Sequence, residues 1–243
     1  SYQRRGIGLH LLKAALTQYH PSFSVKNIKL PQRVKTEIVV PEQSMIDALI
    51  SAVRGKPLEL PVILAACMGL RRSEICALTA ADYDQEKKLL HITKAMVQNE
   101  DNLWVVKTTK TYSSTRILTV PDKVSNILDR AAHGKAPKDR LTSMSPAVVS
   151  ETFSLTKKRL GFRVRFHDLR HYFSSVLLAL GVPDKYAMEQ TGHATPNMLK
   201  TVYQHTMADK RKEVSDLISA KMNSILQHEI HHDSRESQQI QAY

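Results

Sequence analysis

Apolar residues recur at helical spacing along most of this chain, and one central stretch breaks that rhythm. Over residues 7–18, Ile7, Leu9, Leu11, Leu12, Ala15 and Leu16 mark an amphipathic helix. Pro21, Pro31 and Pro41 then punctuate an extended connector. The helical period resumes at Pro41-Glu42-Gln43-Ser44, with Met45, Ile46, Leu49, Ile50 and Val53 as the apolar face. A second helix is predicted over about 58–68, and a third from Arg71 to Thr79. Between residues 88 and 120 the pattern shortens. Leu89–Val97, Leu103–Val106 and Arg116–Val120 predict strands, with Asn99-Glu100-Asp101-Asn102 as the turn between the first two. Helices are predicted again over 122–132, 145–160, 168–180, 184–191, 196–204 and 208–226, two of them parted by Gly181-Val182-Pro183. The class is therefore mainly α with a small antiparallel β-sheet, an α+β fold. Residues 1–40 read as the last helix of a preceding domain plus a linker, 41–227 as one domain and 228–243 as a polar tail.

Charge narrows the choice of partner. A net charge of +12 over 243 residues favours an anionic surface, nucleic acid or acidic membrane. No apolar run approaches the roughly 20 residues that cross a bilayer, and the N-terminus carries no signal-peptide pattern, so the expected location is cytoplasmic. Cys67 and Cys76 lie in apolar, helix-like sequence at a spacing that suits neither a zinc pair nor a thioredoxin motif. They are expected to be buried thiols.

The candidate chemistry is concentrated in a few short motifs. His167-Asp168-Leu169-Arg170-His171 opens an apolar helix pattern, so His167 and Arg170 can share one face while Leu169 enters the core. That helix start suits an anion; read alone, the segment is better explained as a capped helix with two surface histidines, Asp168 serving as the helix-start residue. Arg71 and Arg72 open a helix after Gly69, an end of the macrodipole that disfavours cations. A bound phosphate, with Glu74 to hold the arginine, would explain them; so would simple solvation. Gly192-His193 and Tyr203 complete the set.

Taken together, Gly69-Leu70-Arg71-x-Ser73-Glu74, His167-x-Leu169-Arg170-His171, Leu180-Gly181-Val182, Gly192-His193 and Tyr203 resemble the tyrosine recombinase (phage integrase) family in order and spacing. Lys110-Thr111-x-Ser113-Ser114-x-Arg116, ahead of Pro121, resembles that family's lysine-bearing strand hairpin. The resemblance covers about residues 42–215. It implies the tyrosine-recombinase catalytic-domain fold and a strand-exchange reaction on double-stranded DNA without metal, ATP or other cofactor. It implies Tyr203 as the nucleophile that forms a 3′-phosphotyrosyl link. Arg71 and Arg170 would clamp the phosphate oxygens, His193 would donate a further hydrogen bond, and His167 would help take the phenolic proton. Lys110 would be the general acid, with Lys107 as the runner-up, and Glu74 would support Arg71.

Other implications concern partners. Lys94, Lys107, Arg116, Lys157, Lys158, Arg159, Arg163 and Arg165 are candidate DNA-phosphate contacts. Longer members of the family carry a core-binding domain ahead of the catalytic one, act as tetramers on DNA and use accessory directionality or DNA-bending factors. A fragment matching their C-terminal part would bind DNA weakly and could be monomeric, with 208–226 as the segment exchanged between protomers. Two alternatives keep the same basic surface: a type IB topoisomerase-like nicking-closing enzyme, and a DNA-binding protein without catalysis. His228-Glu229-Ile230-His231-His232 matches the H-E-x-x-H zinc signature. Its polar surroundings point to a solvated tail, and no metal site is expected.

Overall fold

The computed structural model describes residues 11, 12, 14–20, 40–108 and 115–192. The chain divides into two compact units, Ser1–Glu37 and Ile38–Tyr243. In the first, residues 11, 12 and 14–19 are helical (α1), and Leu11 and Leu12 are exposed. The second contains α2 (Gln43–Val53), α3 (Glu59–Met68), α4 (Arg72–Ile75) and a 3₁₀ turn (Ala80–Asp82). Strands β1 (Tyr83–Asp84), β2 (Leu89–Ile92), β3 (Lys94–Gln98), β4 (Trp104–Thr108) and β5 (Arg116–Thr119) follow. Helices α5 (Asp122–Ala132), α6 (Pro146–Arg159), α7 (Phe166–Ala179) and α8 (Asp184–Thr191) complete the described part.

Helix α3 is the centre of the core. Its sequence Glu-Leu-Pro-Val-Ile-Leu-Ala-Ala-Cys-Met is apolar on every side, the signature of a helix enclosed by others. It packs against α2, α4, α5 and α7, and Val62, Leu64 and Ala65 are fully buried. Gly69 ends it in the left-handed conformation (φ +67°). A Cβ there would lie 2.4 Å from Phe173 Cδ1 on α7. Only glycine supplies both the turn and the close approach, and the turn delivers Arg71 to the start of α4.

The strand region is two sheets where the sequence suggested one. β1, β2 and β5 form a three-stranded antiparallel sheet, and β3 and β4 form a separate hairpin. The stretch read as one strand, Leu89–Val97, changes partner at Thr93: Leu89–Ile92 pairs with Arg116–Thr119, Lys94–Gln98 with Trp104–Thr108. Leu90, Ile92 and Met96 are all buried, so the inward alternation runs through the break and leaves no mark in the sequence. The helix expected over 71–79 is only one turn. After Ile75 the chain takes i+3 bonds, and Asp82 caps Thr79 through its backbone and hydroxyl at 2.7 and 2.8 Å.

Helix α7 starts two residues before the expected 168. Asp168 accepts the Arg165 backbone N–H at 2.7 Å and pairs with its guanidinium at 2.8 Å, closing a capping box that draws Phe166 and His167 into the first turn. Helix α6 is capped by Ser145 with Pro146 in its first turn. Of the two thiols, Cys76 is buried and Cys67 half-buried, and burial pushes Cys76 up to about 11, so it stays protonated. Among the described residues no helix is long and apolar enough to cross a membrane. The helices expected over 196–204 and 208–226, the 228–243 tail, Lys110, His193 and Tyr203 lie outside the described residues.

Candidate active site

Four elements converge on one buried carboxylate. Glu74, in α4, is 2% exposed. Its Oε2 accepts from the Arg71 backbone N–H at 2.9 Å and its Oε1 from Arg71 Nη1 at 2.7 Å. The other side of the same carboxylate receives Arg116 of β5, Nη2 to Oε2 at 2.9 Å and Nη1 to Oε1 at 3.2 Å. Burial alone would raise the Glu74 carboxyl, but the hydrogen bonds from Arg116 and the charges of Arg116 and Arg71 outweigh it and hold it below its ordinary range. The pair of arginines then reaches the end of α8: Arg116 Nε donates to the Gln190 carbonyl at 3.1 Å, and Arg71 Nη2 donates to the Gly192 carbonyl.

Arg170 projects from α7 toward this cluster and is 1% exposed. Nη1 donates to the Gly69 carbonyl at 2.5 Å, while Nε and Nη2 are buried without a partner among the described residues. Burial, then the nearby charge of Arg71, lowers its guanidinium to about 9, which leaves it protonated at neutral pH. A buried guanidinium with two unused N–H groups is costly, by about 1–3 kcal/mol for each unsatisfied donor. Such a cost is expected where an anion is to be received.

His167 lies in the first turn of α7 and packs its ring edge-on against His171, centroids 4.8 Å apart. The residue keeps an open side toward the cleft. Lost hydration on the inner side of the ring, then the charges of His171 and Arg170, push it down to about 4. It is therefore a neutral imidazole at pH 7. Buried His171 is shifted the same way, chiefly by burial. Both histidines bind protons more weakly folded than unfolded. Stability is therefore full above the ordinary histidine value of 6.5 and is lost as pH falls toward about 4. Glu74 joins only below its own ordinary value of 4.5. His167→Gln is expected to flatten part of the decline in urea-unfolding stability between about pH 6.5 and pH 5; an unchanged slope would contradict this.

Arg71 and His167 open onto a cleft of about 570 Å³, whose wall also carries Arg72, Lys157, Arg165 and Phe153. Arg72 hydrogen-bonds the Ser150 hydroxyl. The structure thus brings Arg71, Glu74, His167 and Arg170 together as the sequence suggested, and adds Arg72 and the Gln190 and Gly192 carbonyls. No residue-type signal marks those carbonyls; Arg72 was visible but indistinguishable from a solvated arginine.

Two candidate DNA contacts are corrected. Arg116 is 7% exposed and bound to Glu74, because inward alternation along β5 points it at the buried carboxylate. Lys94 pairs with Asp82 at 2.8 Å and Thr79 Oγ1 at 2.9 Å, which ties the hairpin to the 3₁₀ turn. Lys107 is exposed on β4, Lys158 and Arg159 are exposed at the end of α6, and Lys157 is half-buried on the cleft wall.

Gly192 closes the arrangement. It has φ +66°, and a Cβ would lie 2.8 Å from Arg116 Nη1 and 3.3 Å from Arg71 Nη1. Gly192→Ala is expected to cost about 1–2 kcal/mol in backbone strain alone and to displace both guanidiniums. Urea unfolding measures the first effect; an alanine variant as stable as the parent would refute it.

Comparison with known proteins places this site in context. The profile of the phage integrase family matches residues 42–210. A "Tyrosine recombinase XerC-like" protein of Caldanaerobacter subterraneus subsp. tengcongensis is 24% identical over 227 residues, covering 80% of this chain and 58% of that protein. The chain therefore spans a little under three fifths of that relative's length. The Tn1549 transposon integrase in complex with transposon right end DNA superposes with a TM-score of 0.68 at 18% identity, covering 86% of this chain and 76% of that one. A lambda integrase tetramer bound to a Holliday junction does so with 0.52 at 17%, covering 79% and 55%. At such identities the structural likeness establishes the fold.

Proposed function

The chain belongs to the phage integrase family, and from that premise we propose that it is the catalytic part of a tyrosine recombinase that cleaves and rejoins double-stranded DNA. The observation that carries the reading is Arg170: a buried guanidinium with two donors unpaired among the described residues, close enough to Arg71 to feel its charge, while Arg71 itself opens onto the basic cleft. A scissile phosphate placed there would supply the missing acceptors. Arg71 and Arg170 would hold its non-bridging oxygens, where negative charge grows in the pentacoordinate transition state.

In this reading the Tyr203 phenol attacks phosphorus. The bond from phosphorus to the 5′-oxygen breaks, and a 3′-phosphotyrosyl link forms. The phenolic proton passes toward neutral His167. A proton reaches the leaving 5′-oxygen from Lys110, with Lys107 as the alternative donor, and His193 adds a hydrogen bond to the phosphate. A phenol with pKa near 10 needs such a base at neutral pH. The link keeps the energy of the phosphodiester, so a 5′-hydroxyl of another strand can reverse the step without ATP. Protein cations perform the electrostatic task, and the reaction needs no metal. Strand exchange between two sites requires assembly of several protomers on DNA, as in the lambda integrase tetramer bound to a Holliday junction.

The test is covalent trapping. A nicked duplex that sheds a short 5′-hydroxyl fragment after cleavage is incubated in EDTA with the protein, starting from random-sequence duplexes at low salt. A covalent protein–DNA species is expected for the parent and none for Tyr203→Phe. A species that survives in the variant overturns the assignment of the nucleophile.

A further inference from the structure

Arg116 closes the Lys110-Thr111-x-Ser113-Ser114-x-Arg116 segment and holds the first position of β5, and it is as deeply involved in the site as Arg71. All three edges of its guanidinium are engaged: two donors on the Glu74 carboxylate and Nε on the Gln190 carbonyl. One buried carboxylate is thus shared by two guanidiniums, with Arg71 on the cleft side and Arg116 on the buried side. Side-chain exposure is 33% for Arg71 and 4% for Arg116, which fixes that order. Gly192 supplies an independent mark of close fit, since any Cβ would strike Arg116 Nη1 at 2.8 Å.

Formal charges decide what Arg116 does. Arg71 and Glu74 alone sum to zero, and a guanidinium 2.7 Å from its own carboxylate has little charge left for a phosphate. With Arg116 included, the triad carries one net positive charge, and its exposed member is Arg71. We infer that Arg116 is a positioning residue for the proposed DNA cleavage: it neutralises Glu74 from behind and so frees the charge of Arg71 for the scissile phosphate. Through Gln190 it also holds the end of α8, whose Gly192 carbonyl orients the other edge of Arg71. Burial favours arginine in this task, because a forked, permanently charged group satisfies both carboxylate oxygens and the carbonyl at once.

This inference rests on the recombinase reading, and its test separates the two. The variants are Arg116→Gln, Arg116→Lys, Glu74→Gln and the double Arg116→Gln/Glu74→Gln. They are assayed by covalent trapping and by the rise in melting temperature that inorganic phosphate gives over chloride at equal ionic strength. Arg116→Gln is expected to cleave about a hundredfold more slowly and to lose the phosphate-induced rise. In the double variant the carboxylate charge is gone as well, so the net charge at Arg71 returns. At least a tenfold recovery of cleavage and return of the phosphate effect are expected. A merely structural arginine would show no such recovery, since the second change removes further hydrogen bonds.

Arg116→Lys keeps the buried charge and is expected to fall between parent and Arg116→Gln; it serves as the decisive variant if Arg116→Gln fails to fold. Near-parental cleavage by either single variant at Arg116, or a double variant no better than Arg116→Gln, overturns the inference. A parent that forms no covalent species but shows the phosphate effect and its recovery counts against the recombinase reading alone. A parent without either response counts against both.

Discussion

Replacing Arg170 by methionine is expected to make the protein more stable and almost inactive. The side chain is 1% exposed and has two donors without acceptors among the described residues. Burial, and then the positive charges of Arg71 and Arg116, lower it to about 9. Methionine fills a similar volume without a charge to desolvate. The substitution gives up one hydrogen bond, to the Gly69 carbonyl, and removes two unsatisfied groups. The balance favours the variant by about 1–5 kcal/mol, because a made bond is worth about 1 kcal/mol and each of the two orphaned donors costs about 1–3. The same change removes a preorganised clamp on the transition state. Loss of one such donor slows catalysis by about 10²–10³-fold. Thermal unfolding and covalent trapping on the same preparation check both halves. A less stable variant would show that the guanidinium is a structural strut rather than a group kept waiting for an anion.

Glu74→Ala is expected to do the opposite to stability. Here a carboxylate that accepts four hydrogen bonds is removed, leaving Arg116 buried with its charge uncompensated. Breaking a buried ion pair from one side costs about 3–5 kcal/mol. Cleavage is lost with it, since Arg71 is anchored by that carboxylate at both its backbone and its guanidinium. The loss should deepen as pH rises from acid: the folded carboxyl lies below its ordinary 4.5, so the stability it contributes is present above that value and disappears as pH falls through the lowered one. Parent and variant should therefore converge in stability in acid. A gap independent of pH would exclude the charge as its source.

Much of this site was legible because its residues carry their chemistry in their type. A guanidinium at the start of a helix, as at Arg71, conflicts with the macrodipole and asks for a reason. His167 and Arg170 share a face by spacing alone. The helices over 122–132 and 184–191 were readable to the residue, since each begins after a proline and carries a clear polar face. What escaped was set by tertiary partners. The inward parity of Leu90, Ile92 and Met96 continues through the break between β2 and β3, so only the pairing reveals two sheets. β1 is two residues long, too short for any period. Arg116 looked like a basic surface residue because nothing in its neighbourhood announces Glu74, which is 42 positions away along the chain. An arginine in a strand is read as exposed unless its partner is known.

The central claim is a covalent step at one side chain, and the most direct measurement identifies that side chain. The trapped protein–DNA species is digested with nuclease and trypsin, and the nucleotide-bearing peptide is sequenced by mass spectrometry. The account predicts the peptide that runs from Thr201 to Lys210, with the residual nucleotide joined through its 3′-phosphate to Tyr203. A nucleotide on any other residue, or a link through a 5′-phosphate, would contradict it.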